Sequence, residues 1–422
     1  MVTFLRTNAR WIFGGLFLTF LSSFGQTFFI SASVAEWQAR FDLSHGDFGL
    51  VYMLATLASA VSLPFIGKSV DVIAEHRVLL VITPILAAAC VVAAYAPSVV
   101  VLGLALFVLR LMGQGMMTHV ALTATGRWFS AQRGRAVSVV VLGHQLGEAT
   151  LPLAFSGLAF GFGYQAGWLA AGIFLILVGL PLSVWAYAKP RTPSAPVNTA
   201  VSTAGPDNRA GAVPGYDGTH WTRARVVRDW AFWVLLLGAL GPGFIGTTLF
   251  FHQDYLASFY GWPGDLFARA LAVMALTTVL FALINGWLID RFGARAILPF
   301  FLLPLGLSCL MLSASGTVPA VFGFMVLLGV SYGFSSTLLG ALWPEVYGTD
   351  HLGAVRALIV SAMVLATAVG PGLTGALIDR GISLPDQMAS MAFYCFAISA
   401  VMVVVSQRLR RRQLTRAASK SA

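Results

Sequence analysis

The chain alternates between long apolar stretches and short polar ones. A helix that crosses a hydrocarbon layer about 30 Å thick needs about 20 predominantly apolar residues. Twelve stretches have roughly this length and predict membrane-spanning helices at 11–35, 46–66, 78–96, 98–124, 136–160, 168–188, 229–257, 265–289, 296–314, 318–345, 354–378 and 387–407. The pattern therefore predicts an all-α membrane protein with twelve transmembrane helices.

A polar stretch at 189–228 separates the first six predicted helices from the last six. It is rich in Pro, Gly, Ser and Ala and lacks apolar periodicity, which is typical of a flexible linker. We therefore predict a six-helix bundle over 1–188, a flexible linker over 189–228, a second bundle over 229–407 and a basic tail over 408–422. Deletion of about ten residues within 190–222 should be tolerated.

The two halves repeat in sequence at a single offset of 219 residues. The matched pairs are Trp11 and Trp230, Gly67 and Gly286, Asp71 and Asp290, Gly134 and Gly353, and Pro152 and Pro371. Each match is weak by itself, but one shift satisfies all five. Parallel six-helix repeats are typical of secondary transporters, so we predict two pseudo-symmetric bundles.

Composition and charge agree with this architecture. Charged residues make up 10% of the chain, against about 25% in a soluble domain. Of the 26 Lys and Arg residues, three fall on predicted outer segments, one lies within a helix and the remaining 22 lie in inner loops or tails. This asymmetry predicts an inner-membrane protein with both termini in the cytoplasm. The basic runs at 223–228 and 408–412 then indicate topology and contact with membrane lipids rather than nucleic acid.

The reactive residues give no sign of an enzyme. Cys90, Cys309 and Cys395 lie in predicted helices without motif spacing, so neither a disulfide nor a metal site is expected. The chain has no nucleophile–base set and no H-E-x-x-H pattern. We predict no catalytic activity and no cofactor.

Related motifs follow the second and eighth predicted helices. The second copy reads Gly286-Trp-Leu-Ile-Asp290-Arg291-Phe-Gly293-Ala-Arg295, and the first is a degraded form that begins Gly67-Lys-Ser-Val-Asp71. Together with Arg110-Leu-Met-Gly113-Gln-Gly115 in the fourth helix, they make the whole chain resemble the major facilitator superfamily. The resemblance implies an inner gate formed by Asp71, Asp290, Arg291 and Arg295, with ordinary loop charges as the alternative.

Residues 106–152 resemble the monocarboxylate and oxalate/formate branch of that superfamily. The similarity rests on the stretch Arg127 to Ala136 and on Gly143-x-x-x-Gly147-x-x-x-x-Pro152. The eighth helix, however, lacks the cation that oxalate-type relatives carry, which argues against a dicarboxylate. The acidic-Gly signature of the monocarboxylate branch is also missing from the first helix.

Ionisable residues inside a membrane are costly and indicate function. Arg110 and Glu148 each lie about 18 Å from opposite membrane faces on consecutive antiparallel helices, so an ion pair is expected. Gln114 and His144 lie one turn from Arg110 and Glu148, respectively. The second half has Gly, Met and Thr in place of Arg110, His144 and Glu148. Both a structural Arg–Glu tether and a substrate and proton site stay open.

Polar and aromatic residues elsewhere are candidates for a solute cavity. Tyr332, Ser336 and Trp343 share one stripe of the tenth helix, and Gln26 lies in the first. Core packing is the alternative for each of them. His252 and Asp254, at the outer end of the seventh helix, are candidates for a vestibule or gate.

These observations favour a secondary transporter that moves a small organic solute by alternating access. The branch resemblance favours proton-coupled uptake of a monocarboxylate-like anion by a functional monomer. A neutral or aromatic solute such as a vitamin is an alternative. A drug/proton antiporter is another, although the fifth helix lacks the Gly-Pro pair with paired glycines that exporters carry. A receptor or scaffold that does not transport is the alternative from another class.

Overall fold

The computed structural model describes residues 2–67, 69–129, 133–189, 215–348 and 351–421. Within these ranges, the side chains of 2–5, 71–72, 126–127, 133–135, 290, 352–354, 356–357 and 415–421 are not described. Every regular element in the described part of the chain is helical. The prediction of an all-α membrane protein is confirmed.

The first half supplies six spans. The first is interrupted: Val2–Leu21 leads into a 3₁₀ turn at Ser22–Gly25 and then into the shorter helices Thr27–Ile30, Ser31–Ser33 and Val34–Phe41. The second and third are His45–Ile66 and Glu75–Tyr95. The fourth runs from Val99 to Trp128 with a π-helical segment at Leu109–Met117. The fifth is Leu142–Phe162, preceded by Arg133–Val140, and the sixth runs from Tyr164 to Tyr187.

The second half supplies the other six. They are Trp230–Phe251, Leu266–Phe292, Leu303–Ala314, Val318–Tyr347, Leu352–Asp379 and Leu384–Ser421. Short helices accompany them at Ser69–Val72, Arg223–Val226, Gln253–Tyr260 and Ala294–Ile297. The twelve helical segments within the described ranges agree with the twelve predicted spans.

Length and hydropathy alone qualify nine of the described helices as spans, and the interrupted first span makes ten. The two that do not qualify have physical reasons. Leu142–Phe162 is long enough at 21 residues but contains His144, Gln145 and Glu148, which lower its hydropathy. Leu303–Ala314 has 12 residues and is extended at its start by turns over 298–302.

Residue contacts divide the chain into two compact units. The first comprises Met1–Val201, Leu249–Ala272 and Pro371–Arg380, and the second comprises Ser202–Thr248, Val273–Gly370 and Gly381–Ala422. This division differs from the predicted bundles at 1–188 and 229–407. The reason is that one end of the eleventh span packs closely on the start of the second. A methyl group added at Gly375 would lie 2.3 Å from the His45 carbonyl oxygen.

The expected flexible linker at 189–228 is folded over its last part. Residues 190–214 lie outside the described part of the chain, but from Gly215 onward the backbone forms a hydrogen-bonded turn and the helix Arg223–Val226. Tyr216 and Trp221 are buried in it. Composition suggested a featureless linker because it averages this segment with the Pro- and Ala-rich residues before it.

Candidate functional site

The first unit contains a break in its first helix. The 3₁₀ turn Ser22–Gly25 ends at Gln26, whose backbone is extended (φ −88°, ψ 155°), and the helix axis bends by 47°. Such a break interrupts the hydrogen-bond ladder of the helix and leaves carbonyl groups available to other donors. Gln26 itself is half-buried at the bend.

The π-helical segment of the fourth span packs against this break. A methyl group added at Gly25 would lie 2.1 Å from the Leu109 carbonyl oxygen and 2.8 Å from the Cα of Gly113. The two backbones can approach this closely because glycine occupies both positions. π-helical segments often occur at functional sites, and this one carries Arg110 and the half-buried Gln114.

Arg110 is 1% exposed and reaches back to the break. One of its Nη atoms donates to the carbonyl oxygen of Gly25 at 3.2 Å and to the Thr27 hydroxyl at 3.4 Å. Its guanidinium carbon lies 5.5 Å from the centre of the Tyr52 ring, and the Tyr52 hydroxyl is hydrogen-bonded to Thr27 at 2.7 Å. Its Nε is buried without a partner. The contacts of the cation are therefore polar and aromatic.

The fifth span brings two more titratable residues to the same break. Methyl groups added at Gly143 and Gly147 would lie 1.9 Å from the Leu16 carbonyl and 2.1 Å from the Ser23 hydroxyl, so this face of the helix lies directly on the first span. Glu148 is 4% exposed. The ring of His144 packs 5.6 Å from that of Phe28, between centres.

The expected Arg110–Glu148 ion pair is not formed. Among the described side chains, Arg110 pairs with no carboxylate and Glu148 has no hydrogen bond or ion pair. The prediction treated the fourth span as a regular α-helix, whereas its π-helical segment turns Arg110 toward Gly25. Two buried ionisable groups thus approach one break in the first span without contacting each other.

The candidate residues of the tenth span lie in the second unit and differ in exposure. The Tyr332 hydroxyl donates to the Pro242 carbonyl at 3.3 Å, and Ser336 is exposed and donates to Gly333 at 3.0 Å. Trp343 is 2% exposed. Its ring packs on Phe232 at 5.9 Å, which favours core packing, the alternative to the predicted role in lining a cavity.

The four predicted gate residues are described unequally. The side chains of Asp71 and Asp290 lie outside the described part of the chain. Arg291 is exposed, with its guanidinium 5.4 Å from the centre of the Trp287 ring. Arg295 is half-buried and its Nη1 is buried without a partner. Gly293 between them has φ of +80°, which explains the motif's second glycine.

The junction of the second and eleventh spans, also in the first unit, carries further titratable groups. The Asp379 carboxylate accepts from the backbone N–H groups of His45 and Gly46 at 3.2 and 2.8 Å. His252, just after the seventh span, donates through Nε2 to the Pro371 carbonyl at 3.1 Å. Burial lowers the pKa of His252 to about 4. It raises that of the neighbouring Asp254 to about 7, with Glu36 adding to the effect.

Comparison with known proteins identifies the family. The family model of the Major Facilitator Superfamily matches residues 15–268 and 249–421. The chain belongs to this superfamily. This facilitator is therefore a multi-pass membrane transporter rather than an enzyme.

Proteins similar to it include a bacterial relative and two solved structures, and the latter bear on the fold alone. The facilitator is 23% identical over 369 residues to the uncharacterized MFS-type transporter YcxA of Bacillus subtilis (strain 168), which covers 83% of this chain and 84% of the relative. It also resembles crystal structures of a bacterial homologue of the human lysosomal transporter Spinster. For the inward-facing, unoccupied form the TM-score is 0.74 at 16% identity, covering 96% of this facilitator and 98% of that chain. For the occupied form it is 0.67 at 14%, covering 97% of each.

Proposed function

We propose that this facilitator takes up a small organic anion of the monocarboxylate type together with a proton. The observation that carries the proposal is the buried Arg110, whose contacts are a carbonyl, a hydroxyl and an aromatic ring, with no carboxylate among the described side chains. An unpaired buried charge is costly. A carboxylate can bind a guanidinium through two parallel hydrogen bonds, so the position suits an anionic group that arrives with the solute.

Glu148 is the proposed proton carrier. It is buried and has no counter-charge among the described residues, and a carboxyl group in such a place is neutral only while it holds a proton. When the solute anion is on Arg110 and a proton is on Glu148, both buried charges are neutralised. With only one of the two bound, one charge stays uncompensated. This arrangement couples proton and anion although the two side chains do not touch. His144, one turn away, is a second proton-binding candidate.

The surroundings favour a solute with an aromatic or apolar body. The rings of Tyr52 and Phe28 lie beside Arg110 and His144, and Gln26 and Gln114 add polar groups next to the break. The same rings favour one second candidate, a neutral aromatic solute.

The positively charged loops support a location in the inner membrane with both termini in the cytoplasm. In that orientation the loops that carry Asp71, Asp290, Arg291 and Arg295 lie on the cytoplasmic side, and we propose that they gate that side. We further propose that the facilitator is a functional monomer and works by alternating access.

Uptake into proteoliposomes tests this proposal. Benzoate, lactate and the neutral benzamide would be compared with and without a pH gradient that is acidic outside. We expect gradient-driven accumulation of a carboxylate only. Arg110→Ala should abolish uptake and exchange, and Glu148→Gln should abolish accumulation but leave exchange largely intact, because exchange needs no net proton release. Arg380→Ala, at an exposed position in the same unit, is the control.

Three results would contradict the proposal. Transport that is indifferent to pH and to solute charge would favour the neutral solute. Outward movement of cationic drugs driven by the gradient would indicate an antiporter. Equal loss of folded protein in both single variants, restored in Arg110→Met/Glu148→Leu, would indicate a structural tether.

A further inference from the structure

The segment just before the seventh span, Gly215–Asp229, is a folded strap at one end of the second unit. Asp217 organises its first turn by accepting from the backbone N–H and the hydroxyl of Thr219 at 3.0 and 2.9 Å. The other carboxylate oxygen accepts from the Trp221 indole at 2.7 Å and from Arg225 at 3.1 Å. Burial alone would raise the pKa of Asp217, but these donors hold it below its ordinary value. Because Asp217 stays ionised at neutral pH, it continues to accept these hydrogen bonds, and the turn stays formed.

Trp221 fixes the strap to the tenth span. Its backbone N–H donates to the carbonyl of Tyr347, the last residue of that span, at 2.9 Å, and the two rings meet edge to face at 5.3 Å. The guanidinium carbons of Arg225 and Arg412 lie 4.0 and 5.0 Å from the centre of the indole. The side chain is 8% exposed. Burial of an indole in contact with two cations gives the strap a defined position.

Tyr216 connects the strap to the loop that carries the gate motif. Its hydroxyl donates to Glu345 near the end of the tenth span, and the same carboxylate oxygen accepts from the backbone N–H of Ala294 at 3.2 Å. Ala294 lies between Gly293 and Arg295 of the motif. Burial and the neighbouring Glu345 raise the pKa of Tyr216 above its ordinary value, so its hydroxyl is a donor at any physiological pH.

The C-terminal helix holds the other end of the strap. Asp229 has a side chain that is 2% exposed, and both of its oxygens accept from Arg412 at 2.8 Å. Arg408 lies 3.7 Å away, and the Tyr347 hydroxyl donates at 3.4 Å. Loss of one partner from a hydrogen-bonded pair at a nearly buried carboxylate leaves an uncompensated buried charge, which costs more than the loss of an exposed ion pair. The end of the C-terminal helix thus fixes the junction of the strap and the seventh span.

Building on the gating role proposed above, we propose that the strap positions the gate-motif segment at 293–297, which consists of Gly293 and the short helix Ala294–Ile297, during transport and that the C-terminal helix holds the strap in place. Tyr216 and Glu345 are then positioning residues, which act on transport through the loop without touching the solute. Since this role requires only that the protein cycle between conformations, it does not depend on which solute is carried.

Hydrogen exchange of the full-length protein, read on peptides that cover 291–300, tests the proposal independently of transport. Tyr216→Phe removes one hydroxyl and leaves Trp221 in place. We expect exchange in the loop to rise about tenfold, as for the loss of one hydrogen bond to a charged group. The matched control is Tyr394→Phe, which removes the hydrogen bond from a tyrosine hydroxyl to Leu237 in the same unit and should leave the loop unchanged.

Transport supplies the second readout. Tyr216→Phe and Arg412→Ala should lower the maximal rate without changing KM, because the solute site is untouched. Deletion of 215–224 should do the same, whereas deletion of ten residues from 198 to 207 should have no effect. Unchanged exchange at 291–300 in Tyr216→Phe and in the 215–224 deletion would overturn the proposal. An equal effect of the two deletions on the maximal rate would overturn it as well, since length rather than the strap would then matter.

Discussion

Substitution of Gly25 by alanine tests how far the site depends on contact between two backbones. The added Cβ would lie 2.1 Å from the carbonyl oxygen of Leu109, and the next two atoms, at 2.7 and 2.8 Å, are also backbone atoms of the fourth span. None of them can rotate away. The first and fourth spans must separate by about 1.3 Å to restore an ordinary contact of 3.4 Å.

That separation also breaks the site. The Arg110 hydrogen bond to Gly25, now 3.2 Å, would lengthen beyond hydrogen-bonding range. Overpacking costs about 1–3 kcal/mol, and the loss of a hydrogen bond to a charged group costs about 1.5–3 kcal/mol. We therefore expect Gly25→Ala to destabilise the protein by roughly 3 kcal/mol and to weaken solute binding.

Thermal unfolding in detergent and solute binding to the same samples measure both effects. Gly157→Ala in the fifth span is the matched control, because an added methyl group meets nothing within 4 Å there. Alanine in place of glycine within a helix should stabilise by about 0.5–1 kcal/mol. The two variants should therefore shift the unfolding temperature in opposite directions. If both raised it and left binding intact, the close contact described here would be refuted.

Further predictions concern other parts of the molecule. Gly246→Ala should unfold at a lower temperature than Gly340→Ala, because its Cβ would overlap the Tyr332 hydroxyl whereas Gly340 faces open space; equal unfolding temperatures would contradict this. The folded-state pKa of Asp254 is raised to about 7, so stability should fall as pH rises from the ordinary carboxyl range through 7. Asp254→Asn should flatten that part of the profile of unfolding temperature against pH, and an unchanged slope would refute the assignment. Asp379→Ala should increase hydrogen exchange at the start of the second span, where the backbone N–H groups of His45 and Gly46 lose their acceptor. Unchanged exchange there would count against a stabilising role of the Asp379 carboxylate.

The spans were predictable because the length and apolarity of each stretch decide whether it can cross a membrane, independently of its neighbours. The burial of Arg110 and Glu148 followed from the same reasoning. Their pairing did not, because it depends on how each helix is rotated. The sequence around Arg110 does not reveal that its helix widens into a π-helix at 109–117.

The packing of Trp343 and the folded strap could not be predicted either, because both depend on tertiary contacts. Trp343 shares a stripe with Tyr332 and Ser336, but the helix is long enough for its end to enter an aromatic core. The strap was missed because its order comes from partners far along the chain, such as Arg412 and Tyr347. The grouping of tyrosine, aspartate and tryptophan in Tyr216–Trp221, distinct from the Pro- and Ala-rich residues before it, was the available signal.

The π-helical segment at 109–117 makes the fourth span sensitive to length. A π-helical turn holds about one residue more than an α-helical turn, so deletion of a single residue there would let the helix become regular. Arg110 would then swing around the axis relative to residues 118–128 by up to about 100°, the angle between neighbouring residues of an α-helix. Hydropathy and length would still describe a good membrane span, yet the guanidinium would no longer face the carbonyl of Gly25. Deletions in this helix are therefore expected to preserve membrane insertion and abolish function, so that an inactive variant accumulates in the membrane at normal levels.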